Sequence, residues 1–250
     1  MATATFRFYA GLNDFLPRKR RQQDFEAAFA ADASVKHMIE ALGVPHTEVA
    51  LVLVGGQPVG FSRRLRDGDR VAVYPHFMAF GLESLPRLGE APPLPLCFIA
   101  DSHLGGLARL LRMAGFDTLY RNDYADREVV ELAARDGRVV LTRDRDLLKR
   151  GAVRHGGYLR ATIPAAQLRE VVARFGLAGQ FRPFSLCTVC NLPLRPVARE
   201  SVLERLPASV KIKPLHFTTC DACGRIYWEG SHWRRMRALL DAAESGGGGR

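Results

Sequence analysis

The sequence predicts an α/β chain in three parts, and three observations predict it. The first eighty residues show the strand period around a single helix, the stretch after residue 96 alternates strand and helix, and the last seventy carry two Cys-x-x-Cys pairs. At 250 residues, with 47% hydrophobic and 25% charged residues, the composition is that of ordinary folded domains and excludes wholesale disorder. No apolar run reaches the roughly 18 residues of a spanning helix, so no membrane partner is expected. Met1 to Ala10 has neither the basic start nor the apolar core of a signal peptide, so a cytoplasmic location is expected.

The N-terminal part reads as strand, strand, helix, strand, strand. Phe6 and Phe8 alternate with polar neighbours, and Phe25, Ala27 and Phe29 alternate again, with the charged turn Pro17-Arg18-Lys19-Arg20-Arg21 between them. Ser34 is a good N-cap for a helix through Leu42 with Val35, Met38, Ile39 and Leu42 on one face, and Gly43 stands just past its end. Val49 to Val54 is an apolar strand, Gly55-Gly56 turns into Pro58-Val59, and Asp67-Gly68-Asp69 turns into the strand Arg70 to Tyr74. Residues 1–81 thus form a small α+β domain. Residues 82–96, with Pro86, Pro92, Pro93 and Pro95, read as a semi-extended linker.

Residues 97–180 are read as repeated βα units, which imply a parallel sheet. Strands are expected at Leu96 to Ala100, Phe116 to Tyr120, Arg138 to Thr142 and Tyr158 to Ile163. Helices are expected at Ser102 to Ala114, Arg127 to Arg135, Arg145 to Arg150 and Pro164 to Phe175. Asp101 follows the first strand, Asp126 opens the second helix, and Asp144 follows the third strand with Asp146 just beyond. Residues past the carboxyl ends of parallel strands converge in one crevice. Carboxylates gathered there suit Mg²⁺ or Mn²⁺ and can orient a phosphodiester for attack by water. Each Asp, taken alone, also stands where a helix N-cap would stand. Arg109, Arg112, Arg143, Arg145, Lys149 and Arg150 either hold phosphates beside the acids or form a solvated face. His103 reads as a general base or as an ordinary first-turn residue.

Cys187/Cys190 and Cys220/Cys223 are two knuckles separated by residues 191–219. Each points two thiolates at one ion, and together they make a tetrahedral S₄ site suited to structural Zn²⁺. A redox dithiol is the weaker rival, and Cys97 lies in an apolar strand as a core residue. Residues 181–244 form this metal ribbon, and residues 245–250, rich in glycine, are expected to be disordered. The net charge of +10 is concentrated here, with +5 in residues 181–250 against +2 in 1–82 and +3 in 83–180. That excess fits a polyanion such as RNA. Tyr227, Trp228 and Trp233 either stack on unpaired bases or cover the ribbon core, while Arg234, Arg235 and Arg237 are the candidate RNA contacts.

Two resemblances sharpen the reading. Arg7-Phe8-Tyr9-Ala10, Leu42-Gly43-Val44-Pro45 with Glu48-Val49, Val52 to Val59 and Leu65 to Pro75 resemble the ubiquitin-like β-grasp sulfur carriers. Those carriers use a free C-terminal Gly-Gly, whereas Gly55-Gly56 is internal here and the chain runs on through Phe77, so binding or scaffolding toward a protein partner is expected. Phe98-Ile99-Ala100-Asp101, the Asp126 to Ala133 helix and Val139 to Asp146 resemble PIN-like ribonucleases. Asp101 to Arg112, Gly115-Phe116-Asp117 and the downstream cysteine pairs narrow this to the family named for the C-terminal domain of the Mut-seven exonuclease, whose bacterial members also carry a ubiquitin-like domain. The resemblance implies a PIN-like α/β parallel-sheet nuclease domain, an N-terminal α+β β-grasp domain and a C-terminal zinc ribbon. It implies a metal-dependent endoribonuclease with Asp101, Asp126, Asp144 and Asp146 as its metal-binding acids and Asp123 as the nearest match to a further acid. The alternatives are a non-catalytic RNA-binding protein with a degenerate acidic site and a protein adaptor.

Overall fold

The computed structural model of the protein describes residues 1–76, 88–89, 91–211 and 216–246. β1 (Ala2–Phe8) turns Ala4, Phe6 and Phe8 inward, the face its alternation marks as apolar. It pairs antiparallel with β2 (Phe25–Phe29), placing Phe6 opposite Phe25. α1 (Val35–Ala41) starts where Ser34 accepts the His37 N–H at 3.2 Å and buries Val35, Met38 and Ile39. It ends at Gly43, whose φ of +103° only glycine adopts easily. β3 (Val49–Val54) makes a tight hairpin with β4 (Gln57–Pro58), and β5 (Arg70–Pro75) lies between β1 and β3. The sheet order is β2-β1-β5-β3-β4, with β5 parallel to β1 and antiparallel to β3. The sequence pattern implied four strands here. β4 makes a fifth, because the Gly55-Gly56 turn returns two residues to the edge of β3. Phe6, Phe8, Leu12, Ile39, Val52 and Val73 form a dry core, and fully burying each such side chain contributes about 1.5–3 kcal/mol.

Leu88, inside the proline-rich segment, packs on this core and donates its N–H to the Ala50 carbonyl at 2.8 Å. Residues 82–87 and 90 of the expected linker lie outside the described residues.

The alternating region follows in the expected order. Its elements are β6 (Phe98–Ala100), α2 (Gly105–Ala114), β7 (Thr118–Leu119), α3 (Asp126–Asp136), β8 (Val139–Thr142), α4 (Arg145–Leu148), β9 (Gly156–Tyr158) and α5 (Pro164–Phe175). β6 and β8 are buried throughout, as strands of parallel sheets are. β6 pairs in parallel with β7, and β8 pairs in parallel with β9. The last strand ends at Tyr158 instead of beginning there. Gly156 and Gly157 are strand residues whose missing side chains hide them from a hydrophobicity pattern.

Contacts divide the chain into two compact units. One comprises Met1–Pro95 with Ala125–Tyr158, the other Leu96–Tyr124 with Leu159–Arg250. In the second, Phe98 meets Phe116 and Phe175 edge-on, and Phe116 meets Phe181 in the same way. The ribbon is an antiparallel sheet of β10 (Arg195–Val197), β11 (Phe217–Thr219) and β12 (Ile226–Trp228), with α6 (Ala208–Lys211) in the intervening stretch. α7 (Ser231–Gly246) closes the described chain and packs on α5. Trp233, Met236, Leu240 and Ala243 recur along it at helical spacing, and Leu240 and Ala243 are buried. Ser245 and Gly246, expected to be disordered, belong to α7; residues 247–250 lie outside the described residues. Among the described residues no helix is long and apolar enough to cross a membrane.

Candidate metal centre and acidic loops

Two turns of the same construction build the metal centre. In the first, the Asn191 N–H returns to the Cys187 carbonyl at 2.9 Å; in the second, the Gly224 N–H returns to the Cys220 carbonyl at 2.8 Å. Asn191 (φ +62°) and Gly224 (φ +65°) both occupy the left-handed region, which Asn and Gly tolerate best. The four sulfurs all lie within 4.8 Å of one another, and Cys187 Sγ is 3.7 Å from Cys223 Sγ. A tetrahedron with Zn–S bonds of about 2.3 Å has edges of about 3.8 Å, so the donor set fits a zinc ion.

The surroundings favour the thiolate at Cys187 and oppose it at Cys190, where the hydrogen bond with Cys223, burial and the neighbouring Cys187 push the thiol up to about 12. Burial alone would raise the Cys187 thiol. Hydrogen bonds from the Tyr227 hydroxyl at 3.2 Å and from the Cys190 N–H at 3.3 Å outweigh it and bring the thiol down to about 6. Its ionisation in turn helps burial push the Tyr227 hydroxyl up to about 12. A buried arginine supports the first knuckle from behind. Arg112 donates from Nε to the Thr118 carbonyl at 2.8 Å, and from one terminal nitrogen to the carbonyls of Thr188 at 3.2 Å and Val189 at 2.8 Å. Burial lowers its pKa, while the nearby cysteines and Asp117 favour its charge. A Cys₄ zinc site carries two net negative charges, and a fixed guanidinium beside it offsets part of them. Asn191 ties the same knuckle down on its other side: its side chain donates to Asp117 at 2.6 Å and accepts the Thr118 N–H at 2.9 Å.

The acids are arranged differently. Asp101 is 8% exposed and accepts the Ser102 N–H at 2.6 Å, capping the short turn before α2. Asp144 is exposed and caps α4 by accepting the Asp146 N–H at 2.8 Å. Asp126 is the first residue of α3, not its cap. Ala125 holds that place, its N–H taken by Glu128 at 2.9 Å. Asp126 pairs with Arg150 at 2.9 Å, and Asp146 with Lys149 at 2.9 Å. The lysine holds the Asp146 carboxyl below the usual carboxylate range. Asp123 pairs with Arg121 at 2.7 Å. Among the described residues, the four cysteines are the one group of three or more Cys, His, Asp or Glu side chains whose ligand atoms converge within 4.8 Å.

The chain matches the model of the Mut7-C RNAse domain over residues 96–240, more than half its length, and the Mut7-C ubiquitin model over residues 1–81. The chain belongs to the Mut7-C RNAse domain family. Two solved structures of small archaeal modifier protein 1 from Haloferax volcanii are similar at 18% and 16% identity. They cover 31% and 32% of this chain and 100% of their own, with TM-scores of 0.26 and 0.25. None of the curated proteins matches the chain.

In this Mut7-C chain the candidate RNA-binding residues divide by environment. Arg109, Arg143, Arg234 and Arg235 are exposed, and Arg237 is half-exposed in an ion pair with Asp241 at 2.8 Å. Arg112 requires a correction. It was read with Arg109 as an RNA contact or part of a solvated face, but Arg112 is 4% exposed and its guanidinium serves the knuckle carbonyls. The aromatics cover protein: Trp228 packs on the Val202, Leu206 and Phe217 cluster, Trp233 stacks on Phe184 at 5.0 Å, and Tyr227 bonds Cys187. His103 is exposed in the turn before α2. Sequence reasoning missed Tyr227 and Arg112 as supports of the metal centre. Asn191 was missed as well, although it stands directly after its cysteine pair, a position like that of Gly224 after the other.

Proposed function

We propose that this Mut7-C chain is a metal-dependent endoribonuclease that hydrolyses RNA, with Zn²⁺ structural in its Cys₄ centre. The match to the RNAse domain over residues 96–240 carries the reading. Asp101, Asp126, Asp144 and Asp146 would hold Mg²⁺ or Mn²⁺, whose preference is for such oxygen donors. The fit rests on the pairing of the acids. The side chains of Asp126 and Asp146 are 48% and 84% exposed, and their partners are surface cations held at about 0–1 kcal/mol, which a divalent ion can displace. When bound, such an ion supplies the Lewis acidity that offsets charge building on the phosphodiester. Lys149 and Arg150, released from the carboxylates, are then free to hold phosphate oxygens, with Arg143 exposed beside Asp144. Arg109, Arg234, Arg235 and Arg237 would extend the track for the RNA backbone, and the protein would work in the cytoplasm.

The test is cleavage of a mixed cellular RNA pool with Mg²⁺ or Mn²⁺ and again with EDTA; cleavage only with metal is expected. A second reading, a non-catalytic RNA-binding protein, draws on Asp101 and Asp144, each of which already caps a turn or helix. It requires binding without cleavage under both conditions.

A further inference from the structure

His46, Thr47 and Glu48 are buried polar residues that neither site uses, at 8, 7 and 4% exposure. They form the short turn between α1 and β3, a place that is ordinarily wet in so small a domain. Besides Glu40, their partners lie about a hundred residues further along the chain. His46 Nε2 is 3.0 Å from the Val153 carbonyl, and its Nδ1 is 2.7 Å from the Glu40 carboxylate. The Glu48 carboxylate accepts the Tyr158 N–H at 2.8 Å. The Arg145 guanidinium donates to the Phe15 carbonyl at 3.3 Å, and the Phe15 ring meets Tyr158 edge-on at 5.0 Å. Gly156 lets the elements meet: a Cβ there would fall 2.6 Å from Leu148 Cδ2 and 3.4 Å from Thr47.

The distant partners frame one loop. Arg145 stands between Asp144 and Asp146, Leu148 ends α4, and Val153, Gly156 and Tyr158 lie on the return through β9. α4 has only four residues, too few to hold its own shape, and Asp144 is both its cap and a candidate metal ligand. A buried carboxylate with a backbone donor fixes position far better than an exposed ion pair does. We propose that the ubiquitin-like domain is an internal brace for the Asp144–Asp146 loop, with Glu48 and His46 as positioning residues that hold β9, and through it α4, in place. The consequence for catalysis rests on the nuclease reading above; the brace itself does not.

The experiment uses the full chain and compares Glu48→Ala with Glu48→Gln, whose amide oxygen can still accept the Tyr158 N–H. Hydrogen exchange over residues 143–158 is followed beside single-turnover cleavage of a labelled single-stranded RNA with Mg²⁺. In Glu48→Ala, exchange over that segment should speed up. The saturating cleavage rate should fall about tenfold or more, as displacement of catalytic groups implies, and the half-saturating RNA concentration should rise less, because Arg143, Lys149 and Arg150 lie on the same segment. Glu48→Gln should restore most of both. Unchanged exchange over 143–158 in folded Glu48→Ala would overturn the brace, and faster exchange with an undiminished cleavage rate would overturn its consequence for catalysis. If Glu48→Ala does not fold, His46→Gln takes its place with the same outcomes. Should the wild-type protein cleave no RNA at all, the nuclease reading fails, and the exchange arm alone decides whether the domain holds the loop.

Discussion

The cysteine centre brings its potential ligands to one point, whereas the acidic loops present theirs one at a time. Each Cys-x-x-Cys pair is brought together by one tight turn, so local geometry delivers two sulfurs at a time, and only the joining of two turns depends on the fold. The acids come singly, from the turn before α2, the start of α3 and the cap of α4, and each has a local partner of its own. Around the sulfurs, Arg112, Asn191 and Tyr227 are tied to the site by part-buried hydrogen bonds. Around Asp126 and Asp146 stand the surface cations Arg150 and Lys149, in pairs that salt can weaken. The first region converges on one point, and the second is a set of separate carboxylates, two of them in surface ion pairs.

The largest expected effect breaks the first region. Cys220→Ser should release the one zinc ion expected per chain, measured by elemental analysis, and unfold the ribbon with it, since structural zinc contributes about 10–16 kcal/mol in small ribbons. Full zinc occupancy in that variant would refute the Cys₄ assignment. The next effect addresses the second region. Asp144→Asn keeps the cap, because Asn caps about as well as Asp. It removes a charge that a divalent ion needs, so cleavage should fall about a hundredfold or more while the melting temperature stays close to wild type. Cleavage at the wild-type rate would make Asp144 a cap and nothing else.

How much of each region the sequence revealed follows from the same contrast. The knuckles were legible because covalent spacing does most of the work, and Asn191 and Gly224 even mark the left-handed position after each pair. The βα order was legible because β6 and β8 are short apolar runs followed by Asp. The environment of Arg112 was not, since an arginine on a helix facing a loop 76 residues away looks like one facing water. Nor could any local pattern show that Glu48 meets Tyr158, 110 residues on. The α7 helix carries its apolar period in the sequence at Trp233, Met236, Leu240 and Ala243, and it was missed because Arg234, Arg235 and Arg237 between them were read only as RNA contacts.

Two intermediate effects sharpen the contrast. Arg112→Met fills similar space but leaves the Thr118, Thr188 and Val189 carbonyls without their donor, so zinc affinity measured by chelator competition should fall about 10–100-fold. The salt dependence of RNA binding should be untouched, because Arg112 does not face solvent. The double substitution Arg234→Gln and Arg235→Gln should do the reverse. Zinc stays bound, and the slope of log binding constant against log salt for single-stranded RNA flattens by about 0.7 for each phosphate no longer neutralised. An unchanged slope would leave the α7 arginines as a solvated face.

The smallest expected effect lies at Lys149. Its pair with Asp146 joins two side chains that are 25% and 84% exposed, so Lys149→Gln should change stability by no more than about 0.5 kcal/mol in denaturant titrations. The sign of the accompanying pH effect is fixed. Lys149 depresses the Asp146 carboxyl below its ordinary value of 3.8, so the pair's small contribution is fully present above that value and is lost as pH falls through the depressed one. Removing the lysine should return Asp146 to the ordinary range, followed by carboxyl NMR. It should also free the carboxylate, so Mn²⁺ binding at neutral pH should hold or tighten slightly instead of weakening. A clear loss of stability in Lys149→Gln would show the pair to be structural, and the surface cations of the second region would then be held as firmly as the buried groups of the first.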